Sequence, residues 1–137
     1  MLMVCLAGSL PAQTEPVVVK VYKTATCGCC RKWVEHLRSA GFAVMTEDVV
    51  NVEEIQIRYG VPAQLSACHT ALVEGYVVEG HVPADVIRKL LKEKPAVVGI
   101  SVPGMPMGSP GMEGPDPQRF DVVTFDSKGQ SKVYASR

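Results

Sequence analysis

The chain has the length and composition of one globular domain. It contains 137 residues, of which 47% are hydrophobic and 20% are charged, which is enough apolar material for a buried core. Its 14 basic residues balance its 14 acidic residues and no basic face emerges to neutralise phosphates, so we expect no nucleic-acid partner.

Residues 1–16 open with a short apolar stretch and continue with small residues and Pro11-Ala12-Gln13, a sequence suited to signal peptidase. The stretch is too short to span a bilayer, which takes about 20 apolar residues, so we expect no membrane insertion. No Lys or Arg precedes Lys20, so either the true start lies upstream or the stretch is not a signal peptide, and we favour the first. We therefore interpret 1–16 as a signal-peptide remnant with a linker and expect an exported, periplasmic protein. Cleavage after Ala12 would remove Cys5 and leave four cysteines.

Residues 17–94 carry a pattern that predicts a thioredoxin-like domain. The predicted strands are Val17–Lys23, Phe42–Val50, His69–Glu74 and Tyr76–His81, the last two forming a hairpin. The first helix carries an apolar stripe of Cys30, Trp33, Val34 and Leu37 and ends at Gly41. The second runs from Val52 to Tyr59 after the N-cap Asn51, and the third opens at Pro83. This order, with a right-handed crossover between the first two strands, specifies an α/β fold: a thioredoxin-like sheet flanked by helices.

Residues 95–137 differ in composition from the preceding domain. The segment from Pro103 to Pro115 is rich in Gly, Pro and Met and cannot form a helix or a central strand, so we place the extension outside the core fold. The chain closes with two predicted strands, Asp121–Asp126 and Lys132–Ser136, which form a terminal hairpin. We expect 95–137 to pack on the thioredoxin-like domain as a metal-binding extension.

Cys27, Cys29 and Cys30 lie where the first strand gives way to the first helix. A helix N-terminus favours thiolate over thiol, so these cysteines are reactive or bind metal. Cys27 and Cys30 form a C-x-x-C motif, typical of a redox pair with a nucleophilic first cysteine and a resolving second, and they are the candidate catalytic residues. Successive residues of a regular helix are about 100° apart, so Cys27 and Cys30 share one face and Cys29 should point away from them. Thiolates in different directions suit a cluster of bridged Cu(I) ions, and the alternative is a structural disulfide beside a spare thiol.

Cys68 lies just before the predicted third strand. In thioredoxin-like folds that segment packs beside the C-x-x-C motif, so Cys68 is a candidate fourth thiolate ligand, with a buried small hydrophobic residue as the alternative. His81 is a further candidate metal ligand, and His69 is another, although a lone histidine is more often a surface or hydrogen-bonded core residue.

Met105, Met107 and Met112 lie in the Gly/Pro-rich loop, where no apolar helix face accounts for them. Thioether sulfur is a soft ligand that selects Cu(I) and is of little use to zinc. The three methionines are therefore candidate copper ligands, and the alternative is a loop whose methionines pack on the domain surface.

Four motifs follow one another along the chain: Thr26–Cys30, Ser66–Thr70, Glu79–Pro83 and Pro103–Glu113. Together they resemble the bacterial CopG-type copper-resistance family, which is unrelated to the plasmid repressor of that name. The resemblance covers roughly 17–137. It implies a periplasmic thioredoxin-like protein whose C-x-C-C motif binds copper and which acts in copper redox chemistry or handling.

Three functions remain open at this point. The first is a periplasmic copper-binding protein, active in copper resistance through redox interconversion or hand-off of copper and possessing, on this hypothesis, a copper oxidoreductase activity. Its partners would be copper ions and a periplasmic copper efflux or chaperone protein, and we expect a monomer. The second is a dithiol–disulfide oxidoreductase, and the third is a structural zinc domain, which would need no thioether.

Overall fold

The computed structural model describes residues 8–9 and 14–137. Most of the predicted signal-peptide remnant at 1–16, including Cys5, lies outside the described residues. Within the described part of the chain, no helix combines the length and the apolar character needed to cross a membrane.

The described residues form a mixed α/β structure, as the sequence predicts. The strands are β1 (Val18–Lys23), β2 (Ala43–Asp48), β3 (Thr70–Val73), β4 (Tyr76–Gly80), β5 (Gly99–Val102), β6 (Asp121–Phe125) and β7 (Ser131–Ser136). The helices are α1 (Gly28–Ser39), α2 (Val52–Arg58) and α3 (Ala84–Glu93), with a short 3-10 turn at Ala63–Leu65.

All seven of these strands join one sheet in the order β2-β1-β3-β4-β5-β6-β7. β1 and β2 are parallel, β3 is antiparallel to β1, and β4 is antiparallel to β3. This is the arrangement that a βαβ unit followed by a hairpin produces, and it is the topology expected of a thioredoxin-like sheet. It places the β1–α1 junction, where Cys27 lies, next to the start of β3, where Cys68 lies.

The placement of the whole extension outside the core fold is wrong, because three of its segments are strands of the sheet. β5 lies inside the sheet, parallel to β4 and antiparallel to β6. The strand begins at Gly99, where an added Cβ would lie 2.1 Å from the Val77 carbonyl oxygen, so only glycine permits this approach. The predicted terminal hairpin is confirmed as β6 and β7, and the extension thus adds three strands to the sheet.

The two faces of the sheet pack differently because strand residues alternate in direction. One face carries the main core, in which the residues predicted for α1 are buried together with the apolar stripe of α3. The other face carries a smaller cluster formed by Val61, Leu65, Val77 and Phe125. Trp33 links the core to the site described below: its Nε1 donates to the Val82 carbonyl at 2.8 Å, and its ring centroid lies 4.3 Å from that of His69.

Candidate metal centre

Cys27 and Cys30 form a disulfide at the start of α1, with their Cα atoms 5.3 Å apart. Cys27 is the N-cap of the helix and has an extended backbone, whereas Cys30 lies inside the helix and is fully buried. The first cysteine is therefore the more accessible of the pair, as a thioredoxin-type motif requires. The two other described cysteines, Cys29 and Cys68, are free thiols and half-buried.

Cys29 does not point away from the C-x-x-C pair, contrary to the expectation from helical geometry. Its Sγ lies 3.5 Å from the Sγ of Cys27. The expectation is wrong because it treats Cys27 as a helical residue, and Cys27 precedes the helix with an extended backbone. The rotation of about 100° per residue applies only inside the helix.

Four cysteine sulfurs from two parts of the chain converge at this point. Cys29 Sγ lies 4.0 Å from the Sγ of Cys68, and all four sulfur atoms lie within 4.8 Å of one another. A fifth sulfur joins them, because the Sδ of Met105 lies 3.8 Å from Cys29 Sγ. The cluster thus contains the candidate thiolates named from the sequence and one of the three candidate thioethers.

Two imidazole rings face the thiol of Cys68. Its Sγ lies 3.0 Å from Nε2 of His81 and 3.3 Å from Nδ1 of His69. The opposite nitrogens lie against carbonyl oxygens: His69 Nε2 is 2.8 Å from Gly80 O, and His81 Nδ1 is 2.7 Å from Pro110 O. A carbonyl only accepts, so these nitrogens carry the protons, and each ring directs its lone pair toward Cys68.

Burial controls the charges of these groups. It lowers the pKa of His69 to about 3 and also lowers the pKa of His81, so both rings are neutral at pH 7. Burial, with the nearby Cys29, raises the pKa of the Cys68 thiol to about 12. Without metal, Cys68 is therefore a neutral thiol, and a bound cation would have to replace its proton.

The loop between β5 and β6 is held against the cysteine cluster. His81 Nδ1 donates to the Pro110 carbonyl, and the next residue, Gly111, packs against the start of α1. An added Cβ at Gly111 would lie 2.7 Å from the Cys29 carbonyl oxygen, and its φ of +95° also favours glycine. These contacts leave Met105 beside Cys29. In the described residues, no cysteine thiol donates a hydrogen bond to the sulfur of Met107 or Met112, and the Met107 sulfur lies against Gly114 instead.

Buried polar side chains that the sequence analysis did not single out hold the segment before Cys68. The carboxylate of Glu79, fully buried in β4, accepts hydrogen bonds from Ala67 N at 3.0 Å and from Gln56 Nε2 at 2.8 Å. It also accepts from the Thr70 hydroxyl, and Gln56 in turn donates to the Ala67 carbonyl at 2.9 Å. The peptide groups on both sides of Ala67 are thus fixed. An acidic residue within the apolar strand pattern of β4 was the available sequence signal.

Comparison with known proteins identifies the family. A model described as a protein of unknown function, DUF411, matches residues 65–112. The solved structure "Copper resistance protein copG- Form 2" is 43% identical, with a TM-score of 0.85, and the match covers 90% of this chain and 99% of that chain. The chain belongs to the CopG copper-resistance family. A second structure of that name, Form 1, is also 43% identical with a TM-score of 0.84, covering 90% of this chain and 98% of that one. No curated protein matches the chain.

The donor atoms of this CopG family member fit a soft metal ion. Two groups of side chains in the described residues lie close enough to share a metal ion. They contain cysteine and histidine but no carboxylate. Thiolate and thioether ligands select Cu(I), and imidazole nitrogen also accepts copper. A copper-related role is therefore supported by both the family and the chemistry of the site.

Proposed function

We propose that the protein binds copper in the periplasm as a thiolate-bridged Cu(I) cluster and acts in copper resistance by redox interconversion or hand-off of the ion. Copper is here the cargo or substrate. Cys27, Cys29, Cys30 and Cys68 would supply the thiolates. The observation that carries the proposal is the convergence of these four sulfurs within 4.8 Å of one another.

The thioether ligands distinguish this proposal from a zinc site. Met105 already lies beside Cys29, and a thioether stabilises Cu(I) but contributes little to zinc binding. Met107 and Met112 belong to the same loop and would join after a local rearrangement, and His81 would offer its Nε2 lone pair. The extension 95–137 would thus provide part of the metal site. A copper efflux or copper chaperone protein would supply or accept the ion, and the protein would act as a monomer.

The Cys27–Cys30 disulfide favours a second candidate function, a dithiol–disulfide oxidoreductase. The accessible first cysteine and buried second cysteine suit thiol–disulfide exchange with an external substrate. This function makes no use of Met105, whose substitution therefore separates the two candidates.

The experiment is an anaerobic Cu(I) titration of the reduced protein against a competing Cu(I) chelator. We expect more than one Cu(I) per chain, and we expect Cys27→Ser and Cys68→Ser to lose tight binding while circular dichroism shows a folded domain. Met105→Leu preserves bulk and should weaken binding about tenfold, equivalent to about 1.4 kcal/mol.

The matched control is Met45→Leu, at an exposed methionine on β2 that lies outside the cluster and should leave binding unchanged. Saturation at one ion would contradict the cluster. Zinc as the only tightly bound metal, or unfolding of both serine variants, would instead support a structural zinc site. Unchanged Cu(I) binding in Met105→Leu, with efficient reduction of insulin disulfides by the parent, would favour the oxidoreductase.

A further inference from the structure

Cys29 and Cys68 are a second pair of thiols beside the disulfide of Cys27 and Cys30. Their sulfur atoms are 4.0 Å apart, although the residues are separated by 39 positions in the chain. Cys29 belongs to the first turn of α1, and Cys68 lies in the irregular segment between the 3-10 turn and β3. A disulfide requires a sulfur separation of about 2.05 Å, so the two sulfur atoms must approach by about 2 Å.

We propose that Cys29 and Cys68 form a second disulfide, so that the protein has two redox couples and its four clustered cysteines store four electrons. Each couple changes in the same way: two thiols lose two protons and two electrons, and one sulfur–sulfur bond forms. The oxidant is either a disulfide compound, which is reduced to two thiols, or two Cu(II) ions, each of which is reduced to Cu(I). The structure accordingly represents the half-oxidised state, with one couple oxidised and the other reduced.

Cys29 also connects the two couples. Its sulfur lies 3.5 Å from that of Cys27, which is one end of the existing disulfide. The Cys29 thiolate can attack Cys27 Sγ, forming a Cys27–Cys29 bond while Cys30 leaves as a thiolate. Cys68 Sγ can then attack Cys29 Sγ and release Cys27, and the proton of the Cys68 thiol passes to one of the thiolates that have left. One disulfide breaks and one forms in each step, so oxidising equivalents pass between the couples without an external reagent.

The second couple bears on the copper role, and only this step depends on the proposed function. A fully reduced chain would reduce four Cu(II) ions and would then have no thiolate left to retain Cu(I). Reduction of Cu(II) would thus be coupled to release of the product. An external reductant would restore the thiols and the binding site together.

The direct test uses metal-free, reduced protein in a chelator-containing buffer, oxidised with increasing ratios of oxidised to reduced glutathione. All variants carry Cys5→Ser, so that only the four clustered cysteines are counted. We expect two successive losses of two free thiols each in the parent, and a Cys29–Cys68 linked peptide by mass spectrometry.

Two reciprocal double variants separate the couples. Cys27→Ala with Cys30→Ala should still form an intramolecular Cys29–Cys68 disulfide, and Cys29→Ala with Cys68→Ala should retain only the C-x-x-C couple. Circular dichroism checks that both are folded. The proposal is overturned if Cys29 and Cys68 remain thiols while Cys27 and Cys30 become fully oxidised, or if they link only between chains.

A separate measurement addresses copper. Reduced protein is mixed anaerobically with excess Cu(II) and a Cu(I)-selective chelator, which reports Cu(I) whether or not the protein retains it. We expect about four Cu(I) per parent chain and about two for either double variant, since each couple supplies two electrons. Two per parent chain would refute the four-electron store even if the protein binds copper tightly. Four would support it even if the cluster proposal fails.

Discussion

Replacing Glu79 should loosen the segment that presents Cys68. In Glu79→Leu, the Ala67 N–H, the Thr70 hydroxyl and one N–H of Gln56 lose their acceptor, whereas the bond from Gln56 to the Ala67 carbonyl remains. A buried polar group left without a partner costs about 1–3 kcal/mol. Removing the carboxylate also removes the cost of burying it, which offsets part of this loss. We therefore expect a fall of about 2–4 kcal/mol in the free energy of unfolding.

The assay is urea denaturation of the reduced, metal-free protein, followed by circular dichroism. Alkylation of Cys68, measured by mass spectrometry, should become faster relative to alkylation of the fully buried Cys30, because global unfolding exposes both cysteines whereas local loosening exposes Cys68 alone. The control is Glu54→Gln on the exposed side of α2, which should change stability by less than about 0.5 kcal/mol. If Glu79→Leu is as stable as the parent and Cys68 is alkylated at the parent rate, the hydrogen bonds that Glu79 and Gln56 make with Ala67 do not hold the segment before Cys68.

Two further predictions concern the start of α3 and the loop between β5 and β6. The His36 Nε2 accepts from Ala84 N at the start of α3, and burial lowers the pKa of His36 despite the nearby carboxylates of Glu113 and Asp85. The stability that neutral His36 contributes should be complete above about pH 6.5 and should fall as the pH drops through the lower pKa of the folded state. Between about pH 7 and pH 5, His36→Gln should therefore lose less stability than the parent in urea melts. Equal losses in the two proteins would contradict this assignment. Gly111→Ala should displace the loop and weaken Cu(I) binding about tenfold, equivalent to about 1.4 kcal/mol. Gly129→Ala, which has a similar positive φ but no atom within 4 Å of the added Cβ, should leave Cu(I) affinity at the parent value, and equal effects of the two substitutions would show backbone strain rather than loop displacement.

The periodicity of apolar residues and the positions of turn residues predicted most of the fold. The apolar stripe of α1 and the hairpin around Gly75 appear in the structure because each depends on local periodicity or turn chemistry. β5 was missed for the opposite reason. It has only four residues, it starts with glycine, and it is defined by its pairing with β4 rather than by its own sequence.

The site was predictable where residue type determined chemistry and less so where tertiary contacts did. Soft-ligand preference pointed to Cys68 and Met105, and the structure brings both to Cys29. The direction of the Cys29 side chain depends on which residue begins α1, and the spacing of the cysteines alone did not identify that residue. The partnership of Glu79 with Gln56 joins β4 to α2 and has no counterpart in local sequence pattern.

The position of β5 between β4 and β6 determines how the extension can be studied. Deleting residues 95–137 would remove three strands and leave the backbone groups of β4 unpaired along a new sheet edge that includes Val77 and Val78. Exposed apolar edges of this kind recruit other chains and promote aggregation. A truncated protein that fails to protect cells against copper would therefore reveal little about metal ligation. The loop that carries Met105, Met107 and Met112 is better tested by single substitutions in the intact chain.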